Sequence, residues 1–130
     1  MPILNVLLSG PAHAKTTREV AALLSELTAR LLHKKPELTS IAVRYVDPEH
    51  WVVGGRTLAE QGRSSAYVDI KITDETNTRA EKATYIQAVF DGLSALLPNL
   101  HHESYIHVRD VRSGAYGYGG LTQAYRAEHG

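Results

Sequence analysis

Pro2 carries the most unusual functional group in this chain, because removal of Met1 would leave its nitrogen as a secondary amine at the amino terminus. Inside a chain, proline has neither an N–H group nor a basic nitrogen. A free α-amino group titrates near ~8, and burial in an apolar pocket lowers its pKa. We therefore expect a terminal proline on a buried strand to act as a neutral general base. The alternative is that a proline at position 2 serves only amino-terminal processing.

Other polar or flexible residues give weaker chemical signals. The pairs Gly54-Gly55 and Gly119-Gly120 lie outside any GxGxxG or Walker pattern, so we interpret them as turns rather than phosphate cradles. His101-His102 is the only histidine pair, and no Asp/Glu/His triad has metal-ligand spacing, so we expect no metal site. Asp69 and Lys71 are two residues apart on a strand and therefore share one face, where they either pair with each other or line a pocket.

The composition predicts one compact, water-soluble domain. The 130 residues are 43% hydrophobic, and fourteen basic side chains balance fourteen acidic ones. This balance disfavours a broad nucleic-acid or membrane-surface footprint. The absence of cysteine excludes disulfides and thiolate chemistry and fits a cytoplasmic protein. The amino terminus lacks a basic n-region and has only a short apolar run, so we expect neither a signal peptide nor a membrane span.

The first half of the chain has a strand–helix–strand pattern. Pro2 to Leu8 is an apolar run of strand length. Thr16-Thr17-Arg18-Glu19 has the capping-box spacing of a helix start, and Lys34-Lys35-Pro36 ends that helix. Ile41 to Val46 is rich in β-branched residues and predicts a second strand.

The second half repeats this pattern. Tyr67 to Ile72 alternates polar and apolar residues, as a half-buried strand does. Thr78-Arg79-Ala80-Glu81 is another capping box, and Pro98-Asn99 ends the second helix. Tyr105 to Val111 is the last long strand.

The two halves match at an offset of 65 residues. Trp51-Val52-Val53-Gly54-Gly55 aligns with Tyr116-Gly117-Tyr118-Gly119-Gly120, and Thr57 and Ala59 align with Thr122 and Ala124. We interpret the chain as one domain over residues 1–130, built from a β-α-β repeat at 2–65 and another at 66–130. At this offset Tyr67 is the counterpart of Pro2, so only one site per chain would carry an amine.

The duplication predicts an α+β fold with one four-stranded mixed sheet. Each β-α-β unit contributes two parallel strands, and the first and third strands lie antiparallel at the centre. Both helices cover one face of the sheet. The other face is expected to be apolar and uncovered, and therefore to be buried by oligomerisation.

These features together resemble the tautomerase superfamily, whose members share a β-α-β unit and an amino-terminal proline. Leu38-Thr39-Ser40 followed by a strand and Trp51-x-x-Gly-Gly resembles its single-unit branch, the 4-oxalocrotonate tautomerases, and the duplication resembles its double-unit branches. The resemblance covers nearly the whole chain. It implies a homotrimer with active sites at subunit interfaces and Pro2 as the catalytic base.

The resemblance also implies roles for residues beyond Pro2. Lys35 resembles a lysine that holds an anionic substrate, and Tyr105 and His107 resemble residues that reach a neighbouring subunit's proline. Thr73 matches a position whose backbone N–H contacts substrate. Lys35, Tyr105 and His107 are thus candidate donors to an enolate oxygen. Each also has a structural reading: a solvated residue at a helix end, a packing residue and a structural histidine.

Further candidate residues surround this set. Arg109 shares the strand face of His107 and either binds a carboxylate or is a surface or interface charge. We interpret three aromatic residues, Trp51, Tyr116 and Tyr118, as pocket walls and interface packing. The chain departs from the single-unit branch at two positions: it has no arginine in Gly10-Pro11-Ala12, and Ala42 stands where a strand arginine is expected.

Three functions remain open at this stage. The first is a cofactor-independent keto–enol tautomerase or isomerase of a small 2-keto or 2-hydroxydienoate acid. The second keeps the fold but protonates Pro2, as in a hydratase, decarboxylase or dehalogenase. The third is a non-enzymatic trimeric binding or scaffold protein.

Overall fold

A computed structural model describes residues 2–130, so the expected removal of Met1 lies outside the described residues. Four long strands form one sheet: β1 (Ile3–Ser9), β2 (Ser40–Val46), β5 (Ala66–Thr73) and β6 (Tyr105–Val111). Their order is β2-β1-β5-β6. β1 and β2 are parallel, as are β5 and β6, whereas the central strands β1 and β5 are antiparallel. The predicted α+β fold with a mixed four-stranded sheet is confirmed.

Two long helices, α1 (Ala14–Leu32) and α3 (Arg79–Leu96), pack on one face of this sheet. Alternate residues of the central strands point into the core because side chains on a strand alternate between its faces. The core joins these strand residues to the apolar stripes of both helices; among its fully buried members are Leu4, Val6, Val68, Ile70, Leu24 and Leu93. The prediction that both helices cover one face is confirmed.

The two helices begin differently, and only one of the predicted capping boxes is correct. Thr78 caps α3, with reciprocal bonds between Thr78 and Glu81. The box predicted at Thr16 is wrong, because α1 begins at Ala14 and His13 is its cap. The His13 ring accepts a hydrogen bond from the Thr16 N–H at 3.4 Å. The hydroxyl oxygen of the neighbouring Thr17 lies 2.8 Å from the hydroxyl oxygen of Tyr45.

The Gly-Gly motifs form two small hairpins that precede short helices. The first hairpin pairs β3 (Val52–Val53) with β4 (Arg56–Thr57) and leads into α2 (Leu58–Gln61). The second pairs β7 (Gly117–Tyr118) with β8 (Leu121–Thr122) and leads into α4 (Gln123–His129). All four glycines of the two Gly-Gly pairs have positive φ, as predicted for turns.

The counterpart of Pro2 in the second half is Ala66, and the expected match with Tyr67 is wrong. Ile3 pairs with Ser40 in the first half and Tyr67 pairs with Tyr105 in the second, so Tyr67 occupies the place of Ile3. The first strands of the two halves therefore align at an offset that is one residue shorter than the offset at which the hairpins align. The difference arises because the segment between β5 and α3, residues 74–78, is one residue longer than its equivalent, residues 10–13.

The sheet face opposite the helices, here called the open face, is largely polar. The expectation that it is apolar is wrong, because the outward positions of the strands carry charged and polar side chains. They include Asn5, Arg44, Asp69, Lys71, His107 and Arg109, which share this face through the strand registers.

Candidate active site

Pro2 is buried at the start of the central strand β1 and opens into a cavity of about 480 Å³, here called the Pro2 cavity. The Pro2 carbonyl accepts a hydrogen bond from the Ser40 backbone N–H at 3.1 Å, which fixes the residue beside β2. Leu38 comes from the first half of the chain, whereas Tyr116 and Tyr118 come from the hairpin of the second half. The fold therefore brings three of the sequence candidates, Pro2, Tyr116 and Tyr118, into one cavity.

Tyr116 forms a partly buried wall of this cavity and connects it to Thr73. Its hydroxyl lies 3.4 Å from the Thr73 Oγ1. Burial raises the pKa of Tyr116, and the contact with Thr73 only partly opposes this. Tyr116 therefore stays a neutral hydroxyl group at neutral pH. Thr73 lies at the end of β5, as its sequence assignment required.

Lys35 lies outside the Pro2 cavity. It is exposed and lines a neighbouring cavity of about 390 Å³ together with Lys34 and Arg126. Leu38 and Tyr118 line both cavities, so they form the partition between them. Within residues 2–130, the only charged side chain that lines the Pro2 cavity is that of Glu37.

Tyr105 and Trp51 line a third cavity, of about 560 Å³, which does not include Pro2. The Tyr105 hydroxyl donates to Glu103 Oε2 at 2.6 Å, and this bond to a carboxylate raises the pKa of Tyr105. The cavity is the second-half equivalent of the Pro2 cavity, since Trp51 corresponds to Tyr116 and Tyr105 corresponds to Ser40. Neither Tyr105 nor Trp51 lines the Pro2 cavity of its own chain.

His107 and Arg109 are exposed on the edge strand β6, on the open face of the sheet. Arg109 Nη1 lies 3.7 Å from Asp69 Oδ2, and Lys71 Nζ lies 3.4 Å from the same oxygen. The pairing of Asp69 with Lys71 is one of the two alternatives left open by the sequence. Asp69 Oδ1 is buried and has no hydrogen-bond partner among residues 2–130.

Comparisons of the whole structure relate this geometry to known proteins, although no family model and no curated protein matches the sequence. A wild-type fused 4-OT, solved as a symmetric trimer, superposes with a TM-score of 0.81 at 19% identity over 94% of this chain and 96% of that one. Pt0534 inactivated by 2-oxo-3-pentynoate gives 0.82 at 10% identity, covering 95% and 98%. A macrophage migration inhibitory factor-like protein from Entamoeba histolytica gives 0.76 at 16% identity, covering 93% and 97%.

The chain has the tautomerase fold. The superpositions extend over nearly the full length of each chain. At these identities the likeness establishes the fold alone.

One residue of this tautomerase fold was missed by the sequence reasoning, namely Arg126 on α4. Its guanidinium carbon lies 3.8 Å from the centroid of the Tyr118 ring, and its Nη2 donates to the Tyr118 carbonyl at 2.9 Å. These contacts hold Tyr118 from behind the Pro2 cavity. Arg126 belongs to no recognisable motif, and its counterpart in the first half, Gln61, is uncharged.

Among residues 2–130 no group of three His, Asp or Glu side chains is close enough to bind a metal ion. None of the helices in this part of the chain combines the length and apolar character needed to cross a bilayer.

Proposed function

We propose that this protein is a cofactor-independent keto–enol tautomerase or isomerase of a small 2-keto or 2-hydroxydienoate acid, with the nitrogen of Pro2 as the general base. The observation that supports it most is the position of Pro2, buried at the start of a central strand and facing a cavity with two tyrosine walls. The fold, which is shared with the fused 4-OT, supports this interpretation of a proline at position 2.

The proposed reaction moves one proton and needs no other reactant. Once Met1 is removed, the neutral Pro2 amine takes a proton from the carbon α to the carbonyl, and the electron pair of that C–H bond forms an enolate. The resulting ammonium group then returns the proton to another carbon or to oxygen. The low polarity of the cavity favours the neutral amine, because burial disfavours a charged group.

The enolate oxygen needs a hydrogen-bond donor or a cation. Tyr105 and His107 are exposed on β6 and lie outside the Pro2 cavity of their own chain. We therefore propose a homotrimer in which these two side chains approach the Pro2 cavity of a neighbouring subunit. Two observations support an interface at the open face: the buried Asp69 Oδ1 lacks a partner, and the related fused 4-OT is a symmetric trimer.

The decisive experiment is ketonisation of phenylenolpyruvate by the wild type and by Pro2→Ala, with mass spectrometry to establish that Met1 is absent from both. We expect Pro2→Ala to lower kcat/KM by about 10²-fold or more, the usual contribution of a positioned base. Pro11→Ala, at an exposed loop proline, is the matched control and should keep wild-type activity. Equal turnover by Pro2→Ala and the wild type would refute the proline-base mechanism.

Covalent labelling provides a second readout. Pt0534 was inactivated by 2-oxo-3-pentynoate, an electrophile that a neutral amine can attack. We expect this compound to modify the wild type at one site per chain, the Pro2 nitrogen. The amino-terminal peptide of Pro2→Ala should not carry a proline adduct. Modification at other residues only would mean that the Pro2 nitrogen is not a reactive amine.

A further inference from the structure

The second-half equivalent of the Pro2 cavity has a volume of about 560 Å³ and is here called the Trp51 cavity. Its lining comes from Trp51 and the hairpin that follows it, from Gln61 of α2, and from the segment that leads into β6. It has no counterpart of the Pro2 amine, because the nitrogen of Ala66 is a backbone amide that donates to the Ser104 Oγ at 3.2 Å. This cavity is large enough for a small molecule but cannot repeat the proline chemistry.

Two aromatic side chains form walls of the Trp51 cavity. Trp51 is half-buried, whereas Tyr105 is exposed and its hydroxyl donates to Glu103 Oε2 at 2.6 Å. Such rings provide a surface against which another aromatic ring packs favourably. The charged side chains of the lining belong to residues outside β6, the strand that the proposed trimer would place at a subunit boundary.

Arg56 brings a loosely paired positive charge to this cavity. Its Nε lies 3.8 Å from Glu60 Oε2, and its side chain is 62% exposed. The other oxygen of Glu60 serves the cap of α2, where it accepts from the N–H and the hydroxyl of Thr57, both at 3.2 Å. An exposed ion pair of this length contributes little to stability. The guanidinium of Arg56 therefore remains available to a planar acceptor with two oxygens, such as a carboxylate.

His101 supplies a second donor, and backbone contacts hold its ring in place. The His101 N–H donates to the Ser64 carbonyl at 2.8 Å, and its Nδ1 accepts from the Glu103 N–H at 3.0 Å. This second bond assigns the proton of the neutral ring to Nε2, because a nitrogen that accepts a hydrogen bond carries no proton. Within residues 2–130 no hydrogen bond uses this Nε2–H, so the ring keeps a donor for a ligand.

Glu103 is the acidic residue of the lining and defines the competing ligand class, an aromatic amine. Its Oε2 is already occupied by the Tyr105 hydroxyl, in a short bond of the charge-assisted kind. The charge of Glu103 is therefore partly compensated within the chain, whereas that of Arg56 is not. This difference favours an anionic ligand over a cationic one.

We propose that the Trp51 cavity is a second binding site, separate from the Pro2 cavity, for a small aromatic carboxylate. The aromatic ring of the ligand packs against Trp51, and its carboxylate accepts hydrogen bonds from Arg56 and His101. The site does not depend on the proposed function, because none of these three residues lines the Pro2 cavity. A ligand bound there is held without reaction, since the cavity lacks an amine.

Trp51 is the only tryptophan of the chain, so its fluorescence reports on this cavity. Phenylacetate and phenylacetamide are titrated into the whole protein at neutral pH, with excitation at a wavelength that only tryptophan absorbs. We expect saturable change of the Trp51 emission with phenylacetate and about tenfold or more weaker binding of phenylacetamide, which has the same size but no charge. Equal affinities for the two compounds would overturn the proposal. Tighter binding of phenethylamine than of phenylacetate would assign the cavity to a cation and overturn it as well.

Two arginine variants test the polar contacts. Arg56→Leu should weaken the binding of phenylacetate about tenfold or more through loss of a charge-assisted bond, with the fold confirmed by circular dichroism. Arg30→Leu is the matched control, because Arg30 forms a similarly exposed pair with a glutamate four residues away on α1. It should bind phenylacetate like the wild type. Unchanged affinity in Arg56→Leu would exclude this residue from the site and refute the proposal.

Pro2→Ala distinguishes the two cavities. We expect this variant to bind phenylacetate with wild-type affinity and the same change in Trp51 emission, because the Trp51 cavity does not include Pro2. Loss of binding in Pro2→Ala would place the ligand in the Pro2 cavity and overturn the second site. Phenylacetate has no keto or enol group, so the result is independent of turnover. Absence of tautomerase activity in the wild type would refute the proposed function and leave this site standing.

Discussion

The hydroxyl oxygens of Thr28 and Tyr85 lie 2.8 Å apart in the buried contact between α1 and α3. Both side chains are fully buried, so this hydrogen bond joins the two halves of the chain inside the core. Tyr85→Phe leaves the Thr28 hydroxyl without its partner. We expect it to lower the free energy of unfolding by about 1 to 2 kcal/mol, measured by urea denaturation. No loss of stability would mean that the Thr28 hydroxyl finds another acceptor within its helix.

The same tyrosine predicts how stability falls in alkali. Burial raises the pKa of Tyr85 to about 12, and the bond to Thr28 opposes this only partly. Between about pH 10 and 12 the unfolded chain releases the phenolic proton while the folded chain retains it, so stability falls as the pH rises. The loss attributable to Tyr85 approaches ~3 kcal/mol and should be absent in Tyr85→Phe. Parallel stability curves for the two proteins over this range would contradict the assignment.

The two equivalent aromatic residues Tyr116 and Trp51 should differ in their effect on activity. Tyr116 shares a cavity with Pro2, whereas Trp51 lines the separate cavity that contains Tyr105. We expect Tyr116→Ala to lower kcat/KM for phenylenolpyruvate about 10- to 100-fold, since a poorly positioned substrate reacts slowly. Trp51→Ala should stay within about threefold of the wild type. Similar losses in both variants would place Trp51 at the Pro2 cavity of a neighbouring subunit.

Asp69 offers a test of the proposed assembly. Asp69→Lys would place a third positive charge beside Lys71 and Arg109 on the open face, where burial in the proposed interface would make repulsion costly. We expect sedimentation to show dissociation of the trimer into monomers, with helix content retained by circular dichroism. Asp91→Lys makes the same charge change on the exposed side of α3 and should leave the assembly intact. An unchanged Asp69→Lys oligomer would exclude the open face from the interface.

The two predicted capping boxes provide a local comparison. Thr78→Ala removes the cap of α3 and should lower the free energy of unfolding by about 1 kcal/mol. Thr16→Ala should change it by less than about 0.5 kcal/mol, because His13 caps α1 and Thr16 lies inside the helix. Thermal unfolding monitored by circular dichroism measures both. A larger effect for Thr16 than for Thr78 would contradict the observed caps.

Short-range patterns in the sequence determined the elements of this fold. The alternation in Tyr67 to Ile72 and the capping box at Thr78 to Glu81 depend on side chains a few residues apart, so both could be predicted directly from the sequence. The repeated aromatic-x-x-Gly-Gly motif likewise predicted two turns, and both are present. The chemical type of Pro2, together with the strand that follows it, also needed no tertiary information.

Only the tertiary structure decided which of these residues meet. One extra residue in the segment 74–78 changes the offset of the first strand, and because strand faces alternate, it makes Ala66 rather than Tyr67 the counterpart of Pro2. The open face is polar because the strand register places the outward-facing polar residues of four strands on the same side of the sheet. Arg126 contacts Tyr118, and Lys35 lines a cavity that does not include Pro2, because the fold brings α4 close to the residues that follow α1. Such contacts depend on chain closure over many residues, which no local pattern encodes.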